Sequence, residues 1–231
     1  SVARLNASHG TVEHRSAVVD RIRAVDEESQ TPLAAMIDLK GPEVRTAPLE
    51  EPIHLETGSE VRFVEGDEAT PTEVGLSYSI SAATAGDVIL LDDGRIDATV
   101  ERVEGDAVVA RINSGGDLSG RKGVNVPGVD LDIDLITEGD SQNLELAAEK
   151  EVDFVAASFI RSAGDIYAIS DFLEEHGAEI PVIAKIERAG AVENLDEIIE
   201  AAYGVMVARG DLGVECPLED VPMIQKRTIR K

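Results

Sequence analysis

The chain has 231 residues, 21 Lys+Arg against 46 Asp+Glu for a formal charge of −25, and 43% hydrophobic residues. That apolar share is enough for a packed core and argues against global disorder, whereas an acidic chain without clustered cations is a poor partner for nucleic acid, whose phosphates need Lys and Arg. One Cys excludes a disulfide framework or a cysteine-rich zinc module, no apolar run reaches the roughly 18 residues of a membrane span, so no membrane partner is expected, and SVARLNASHG lacks the pattern of a secretory leader.

In chain order, Ser1 to Asn6 reads as the end of a strand, and Val18, Val19, Ile22 and Val25 form a helical stripe. Leu33 to Leu39 is a second strand, closing in Lys40-Gly41-Pro42. From about Ala47 to Val129 the pattern changes to alternation, with Asp92-Asp93-Gly94 and Glu104-Gly105-Asp106 as turn signals between β-rich runs. This predicts a small β-domain inserted after one strand, with hinges at Pro48, Pro52 and Pro127-Gly128. Asp140 to Lys150 reads as a helix capped by Thr137. Val152 to Ile160, Pro181 to Glu187 and Gly204 to Asp211 are short and nearly continuous in apolar character, which suits parallel strands buried on both faces. Between them, Ser162 to Asp165 reads as a capping box ahead of Ile166, Ile169 and Leu173, with Gly177 as a stop, and Leu195, Ile198, Ile199 and Ala202 share a helical face.

The strand–helix rhythm predicts an α/β fold with a parallel sheet or barrel. The expected division is 1–46 for the first part of the barrel domain, 47–129 for the insert and 130–231 for the second part. A (β/α)8 barrel takes roughly 250 residues, about 31 per unit, so what remains outside the insert suffices for about five units. The expectation is therefore a partial TIM (β/α)8 barrel with an inserted small β-barrel lid, truncated at both ends; the alternative is a smaller open sheet, complete as written.

In parallel α/β folds, functional side chains gather at the carboxyl ends of strands. Lys185 and Glu187 are two apart and share a face. The next strand ends in Arg209-Gly210-Asp211, and at about 4.8 Å between strands the Glu187 and Asp211 carboxylates come within reach of one Mg²⁺ or Mn²⁺. Soft ligands are lacking, which disfavours zinc. Gly210 would let a ligand approach the backbone, its N–H facing a carboxylate. The competing reading is a structural Lys185–Glu187 or Arg209–Asp211 ion pair, but a lysine in an otherwise apolar strand is costly without a task. Earlier strand ends add Arg4, Asn6, Ser8 and His9, then Asp38, Lys40 and Arg45. Asn, Ser and Asp oxygens suit a monovalent cation, and Lys and Arg suit phosphate. Against this, Asn6 or Ser8 would serve equally as a helix cap, and His9 reads as a loop residue. Asp93 in a tight turn and Arg121-Lys122-Gly123, a basic spot, come from the insert, where a solvated loop is the alternative.

Taken together, ARLNASHG (3–10), IDLKGPEVRT (37–46), LDDG (91–94), RKGVNVPG (121–128), DFVAASFI (153–160), IAKIE (183–187) and GVMVARGDLGVE (204–215) resemble pyruvate kinase, in order and spacing, over nearly the whole chain. The resemblance implies a TIM barrel with a β-rich lid after its third strand, of which this chain holds the second to sixth strands. It assigns Glu187 and Asp211 to the divalent metal, Mg²⁺ or Mn²⁺, that bridges enzyme and phosphoenolpyruvate. Lys185 matches the lysine that stabilises charge in transfer, and Arg4 a phosphate-contacting arginine. Asn6, Ser8, Asp38 and the Leu39 carbonyl match the K⁺ site; the family usually has Thr at position 39, a change that a backbone ligand survives. Glu43 matches the glutamate typical of K⁺-dependent members. Arg45, Asp93 and Lys122 match contacts to ADP/ATP, and the Gly210 and Asp211 N–H groups would receive the substrate carboxylate. The family's threonine linked to enolate protonation falls beyond Lys231, so this chain alone is expected to be inactive. The resemblance also implies a cytoplasmic, homotetrameric parent.

Two other classes compete: another Mg²⁺-dependent TIM-barrel aldolase or lyase acting on pyruvate enolate, and a non-catalytic fragment. Lys122 separates the first, since an aldolase needs no nucleotide contact. The cations are themselves uneven, six Lys (40, 122, 150, 185, 226, 231) beside fifteen Arg. Genome bias would account for this, as would adaptation to a salt-rich cytosol, in which case the unscreened self-repulsion of −25 destabilises the chain at low ionic strength. Three of the six lysines (Lys40, Lys122, Lys185) lie in the family motifs.

Overall fold

A computed structural model describes residues 1–29 and 31–231. It resolves into two compact units, one of Ser1–Pro42, Asp134–Arg209 and Val221–Lys231, the other of Glu43–Ile133 and Gly210–Asp220.

The first unit opens with β1 (Val2–Asn6), α1 (Val12–Glu28) and β2 (Ala34–Asp38). The second then supplies β3 (Ile53–Leu55), β4 (Glu60–Glu65), β5 (Glu73–Leu76), β6 (Val88–Leu91), β7 (Ile96–Glu104), β8 (Ala107–Ser114), β9 (Gly116–Leu118) and β10 (Val124–Asn125). The chain returns to the first unit through α2 (Glu138–Glu149), β11 (Phe154–Ala157), α3 (Ala163–Glu175), β12 (Val182–Ile186), α4 (Ala189–Glu193), α5 (Leu195–Ala201) and β13 (Gly204–Val207). It ends with α6 (Arg209–Glu215), most of which belongs to the second unit, and α7 (Val221–Arg230) in the first.

The first unit is an α/β layer structure. Its five strands run β1-β2-β11-β12-β13, every neighbouring pair parallel, in the order in which the chain supplies them. Ile37, Val155, Ala156, Ala184 and Ile186 are completely buried, as apolar strands covered by helices must be. Helix α1 begins at Thr11, whose hydroxyl accepts the His14 N–H at 3.2 Å, so neither Asn6 nor Ser8 is the cap. Its buried face is Arg15, Val19 and Ile22; Val25, expected in the stripe, is 55% exposed. Thr137 caps α2 through the Asp140 N–H at 3.1 Å, and Asp165 reaches back to the Ser162 N–H at 3.2 Å to start α3. Gly177, at φ +78, ends it.

Two strand expectations need correction. The run from Val152 to Ile160 is strand only over Phe154–Ala157, and Ser158-Phe159 turns away, with Phe159 at φ +59. The run from Gly204 to Asp211 is strand only to Val207. Ala208 still donates to the Ile186 carbonyl at 3.2 Å, but Arg209 begins α6, so Arg209-Gly210-Asp211 is the first turn of a helix rather than a strand end. The apolar run stops at Ala208, and a carboxylate at Asp211 suits the partial positive charge of a helix start.

The second unit is β-built. Six strands run β10-β6-β7-β8-β4-β5, antiparallel except for β4 with β5, and β3 pairs with β9. Leu55, Phe63, Val74, Leu76, Ile89, Leu91, Ile112 and Leu118 form its core at 0–1% exposure. The alternation read in the sequence is this inward set, with charged residues between. On the opposite face, Arg62, Arg102 and Arg111 pair with Glu60, Glu73, Glu101 and Glu104 across β4, β5, β7 and β8.

Candidate active site

The carboxyl ends of β1, β2, β11 and β12 bring four charged groups together within the first unit. In β12, Val182, Ala184 and Ile186 are buried on one face, and Ile183 and Lys185 alternate to the other. The Lys185 ammonium lies 2.6 Å from Glu187 Oε1 and 3.3 Å from Asp38 Oδ1. It also donates to Ser158 Oγ at 2.6 Å. Arg4, on β1, pairs with the other Asp38 oxygen, Oδ2. The side chains of Lys185, Glu187 and Asp38 are 11%, 3% and 1% exposed, and Arg4 reaches solvent. Two cations and two carboxylates thus form a neutral quartet, the condition for burying charge at bearable cost. Burial pulls the lysine pKa down, but the Glu187 and Asp38 carboxylates outweigh it and hold the ammonium above its ordinary value.

The turn after β11 fixes this quartet. Glu187 Oε2 accepts the Phe159 N–H at 2.8 Å, and the Ser158 hydroxyl donates to the Leu39 carbonyl at 2.7 Å. A bulky residue at φ +59 is a strained conformation, here aiming an N–H at a carboxylate. Gly41, itself at φ +72, makes room, since a Cβ there would lie 2.6 Å from the Phe159 ring. The Lys40 and Gly41 N–H groups rest on Asp140 Oδ1 at 3.1 and 3.3 Å, pinning the turn after β2.

Oxygen donors of the kind a hard cation takes are present. Asp38 Oδ1 is buried yet makes no hydrogen bond, the ammonium at 3.3 Å being out of line, and such an orphan oxygen fits a monovalent cation. Asn6 Oδ1 accepts the Ser8 N–H at 2.9 Å, and the Leu39 carbonyl keeps a second lone pair beside the one Ser158 uses. Glu187 offers a carboxylate for a divalent ion. Among the described residues, no three His, Cys, Asp or Glu side chains are assembled into a metal-holding group. His9 is a loop residue whose carbonyl accepts Arg15 Nη1 at 2.7 Å. A cavity of about 630 Å³ between α1 and α2, lined by Thr11, Arg15, Lys40, Asp140 and Asn143 among others, does not include the quartet.

The remaining residues singled out by sequence belong to the second unit. Arg45 donates to Glu43 Oε2 at 2.9 Å and to the Arg121 carbonyl at 2.7 Å. Asp92, Asp93 and Gly94 form a left-handed turn at φ +52, +57 and +79. It is Asp92, not Asp93, that pairs with Lys122, at 2.8 Å, and this hydrogen bond holds the Asp92 pKa below its ordinary value. Gly210 and Asp211 lie exposed in the first turn of α6. Sequence reasoning missed Ser158, Phe159, Asp140 and Asp92. The first two sat inside an apolar run, and the only signal of their role was the hydroxyl at the run's end.

Comparison with known proteins agrees across the full chain. The family model described as "Pyruvate kinase, barrel domain" matches residues 1–231. Pyruvate kinase of Bacillus licheniformis is 42% identical over 239 residues, covering 100% of this chain and 41% of its own length. That of Geobacillus stearothermophilus is 43% identical over 238 residues, and that of Staphylococcus epidermidis 41% over 237, each covering 100% of this chain and 40% of the relative. The chain therefore spans about 40% of the length of the curated relatives it matches.

Proposed function

The chain belongs to the pyruvate kinase family through its barrel domain, and from that premise we propose that the full-length protein transfers the phosphoryl group of phosphoenolpyruvate to ADP, giving pyruvate and ATP in glycolysis. The observation that carries this reading is the Lys185 ammonium, kept charged beside Glu187, Asp38 and Ser158 where the parallel strands end. Phosphoryl transfer needs positioning and charge neutralisation rather than covalent chemistry, and a fixed ammonium supplies both. Arg4, half in solvent and tied to Asp38, takes the phosphate from outside. Lys185 then follows the negative charge from the phosphoryl oxygens to the enolate oxygen, without leaving its place. Glu187 and Asp211 would hold Mg²⁺ or Mn²⁺, which when bound neutralises phosphoryl and enolate charge. Asn6, Ser8, Asp38 and the Leu39 carbonyl would hold K⁺, with Glu43 the accompanying acid. The Gly210 and Asp211 N–H groups receive the substrate carboxylate, and Arg45, Asp93 and Lys122 contact the nucleotide.

The five parallel strands in chain order support a segment of a (β/α)8 barrel, and the β-built second unit supports an inserted lid. In this reading the protein is a cytoplasmic homotetramer, and its acidic, Lys-poor composition belongs to a halophilic cell. No helix among the described residues is long and apolar enough to cross a membrane. The test is pyruvate release from phosphoenolpyruvate by the purified full-length protein with Mg²⁺ and K⁺. Release that requires ADP and yields ATP is expected. Pyruvate release indifferent to ADP would instead select the aldolase or lyase chemistry, and no release at all would leave the chain a binding or structural segment.

A further inference from the structure

Ser158 is 4% exposed and stands between two groups to which the proposed function gives separate tasks. Its oxygen accepts from Lys185 Nζ at 2.6 Å, and its single hydrogen goes to the Leu39 carbonyl at 2.7 Å. The hydroxyl is therefore oriented: ammonium to hydroxyl, hydroxyl to carbonyl. A hydroxyl has one proton to give, and the ammonium, all donors, cannot supply the acceptor that this proton needs. Neither partner can exchange roles, and the order of the relay is fixed. Around Lys185 stand two carboxylates, Glu187 at 2.6 Å and Asp38 at 3.3 Å, the latter an ion pair without a hydrogen bond. Both attract the ammonium, and neither determines where between them it rests. Ser158 is the neutral third point. Its own position is fixed by the end of β11 and by the adjoining Phe159 N–H on Glu187 at 2.8 Å.

We propose that Ser158 is a positioning residue that holds the Lys185 ammonium at the point where it meets the transferring phosphoryl group, and that it ties this ammonium to the carbonyl at which the monovalent cation binds. The proposal rests on the function assigned above and adds a link between its two cation sites. Through this link, a cation on the Leu39 carbonyl draws on the same oxygen that orients the Ser158 hydroxyl. Monovalent-cation activation is then transmitted to Lys185 by a hydrogen bond as well as through space.

The experiment compares the full-length protein with Ser158→Ala and Ser158→Thr, measuring kcat and KM for phosphoenolpyruvate, the ratio of rates with and without K⁺, and Mn²⁺ affinity by electron paramagnetic resonance. Ser158→Ala is expected to lower kcat by about ten- to hundredfold, the range for losing a hydrogen bond to a charged group. KM and Mn²⁺ affinity should stay within about threefold, since Glu187 keeps the Phe159 N–H. The activation by K⁺ should shrink. Ser158→Thr, which keeps the hydroxyl, should restore most of kcat and the K⁺ ratio. Retained Mn²⁺ affinity shows that the alanine variant is folded. A wild-type kcat and K⁺ ratio in Ser158→Ala overturn the proposal, as does a loss that Ser158→Thr fails to restore while still binding Mn²⁺. Failure of the underlying reading shows differently, as an unsubstituted protein that releases no pyruvate with ADP.

Discussion

Replacing Lys185 with Met removes the ammonium and keeps most of the side-chain volume. What remains is Glu187 at 3% exposure and Asp38 at 1%. Removing one partner of a buried ion pair costs about 3–5 kcal/mol, because the other charge is left uncompensated. Neither carboxylate is stripped entirely here: Asp38 keeps Arg4, and Glu187 keeps the Phe159 N–H at 2.8 Å. The lower end of that range, about 3 kcal/mol, is therefore the expected loss. On the catalytic side, deleting one preorganised donor to developing charge costs about 100- to 1000-fold in turnover, and a full positive charge should cost no less. Substrate binding, which the proposed function assigns also to Arg4 and backbone N–H groups, should be largely kept. Urea unfolding of the full-length protein reads the first quantity, and a pyruvate-release assay with ADP reads the second. Wild-type turnover would remove Lys185 from the mechanism, whatever the stability. Unchanged stability with lost turnover would mean that the quartet is not a buried network in solution.

Glu187→Gln keeps the shape and removes the charge, and Mn²⁺ affinity should fall at least about tenfold, since ligand charge count tunes such sites; unchanged affinity by electron paramagnetic resonance would argue against a carboxylate metal site. Because the folded-state pKa of Lys185 is raised above the ordinary 10.5, its contribution to stability is fully present below that value and is lost as pH climbs through the folded pKa. The unsubstituted protein should therefore lose stability above about pH 10.5 more steeply than Lys185→Met, as thermal melts across that window will show. With a formal charge of −25, the protein should unfold at low ionic strength and regain its circular dichroism signal as KCl is added; indifference to salt would sink the salt-adaptation reading.

Much of the fold was legible because the two periodicities differ. The apolar runs at Leu33, Val152, Pro181 and Gly204 each contain a parallel strand, buried in the first three and half-buried in β13, and the alternation from Ala47 onward resolves into β4 to β8. Local chemistry was legible where side chain and backbone meet within three residues, as at Thr137 with Asp140 and at Ser162 with Asp165. What periodicity does not carry is where a run stops. Ser158-Phe159 and Arg209-Gly210-Asp211 directly follow their strands, but Phe159 turns into a left-handed conformation and the triplet into a helix. The first departure is set by partners far along the chain, Glu187 and Gly41. Likewise, Val25 fits the helical stripe by spacing, but it is 55% exposed.

The same distinction explains the division of labour in the site. The groups found by sequence, Arg4, Asp38, Lys185 and Glu187, are the charged ones, because charge in an apolar strand is a conspicuous cost. The groups missed, Ser158, the Phe159 N–H and Asp140, hold the charged ones or the adjoining turn in place, and each is ordinary in composition. A charged quartet without those supports would have several arrangements of similar energy, since opposite charges attract over a wide range of geometry. Hydrogen bonds are directional, and the support here is directional at every point: Ser158 faces the Leu39 carbonyl, Phe159 faces Glu187, and Asp140 faces the N–H groups of Lys40 and Gly41. Strain at Phe159 and the small residue at 41 are what that directionality requires. A lysine alone in this strand would make a cation at the mouth of a sheet; fixed by the neutral Ser158 hydroxyl, it becomes a cation at one point, as the proposed charge neutralisation along a transfer path requires.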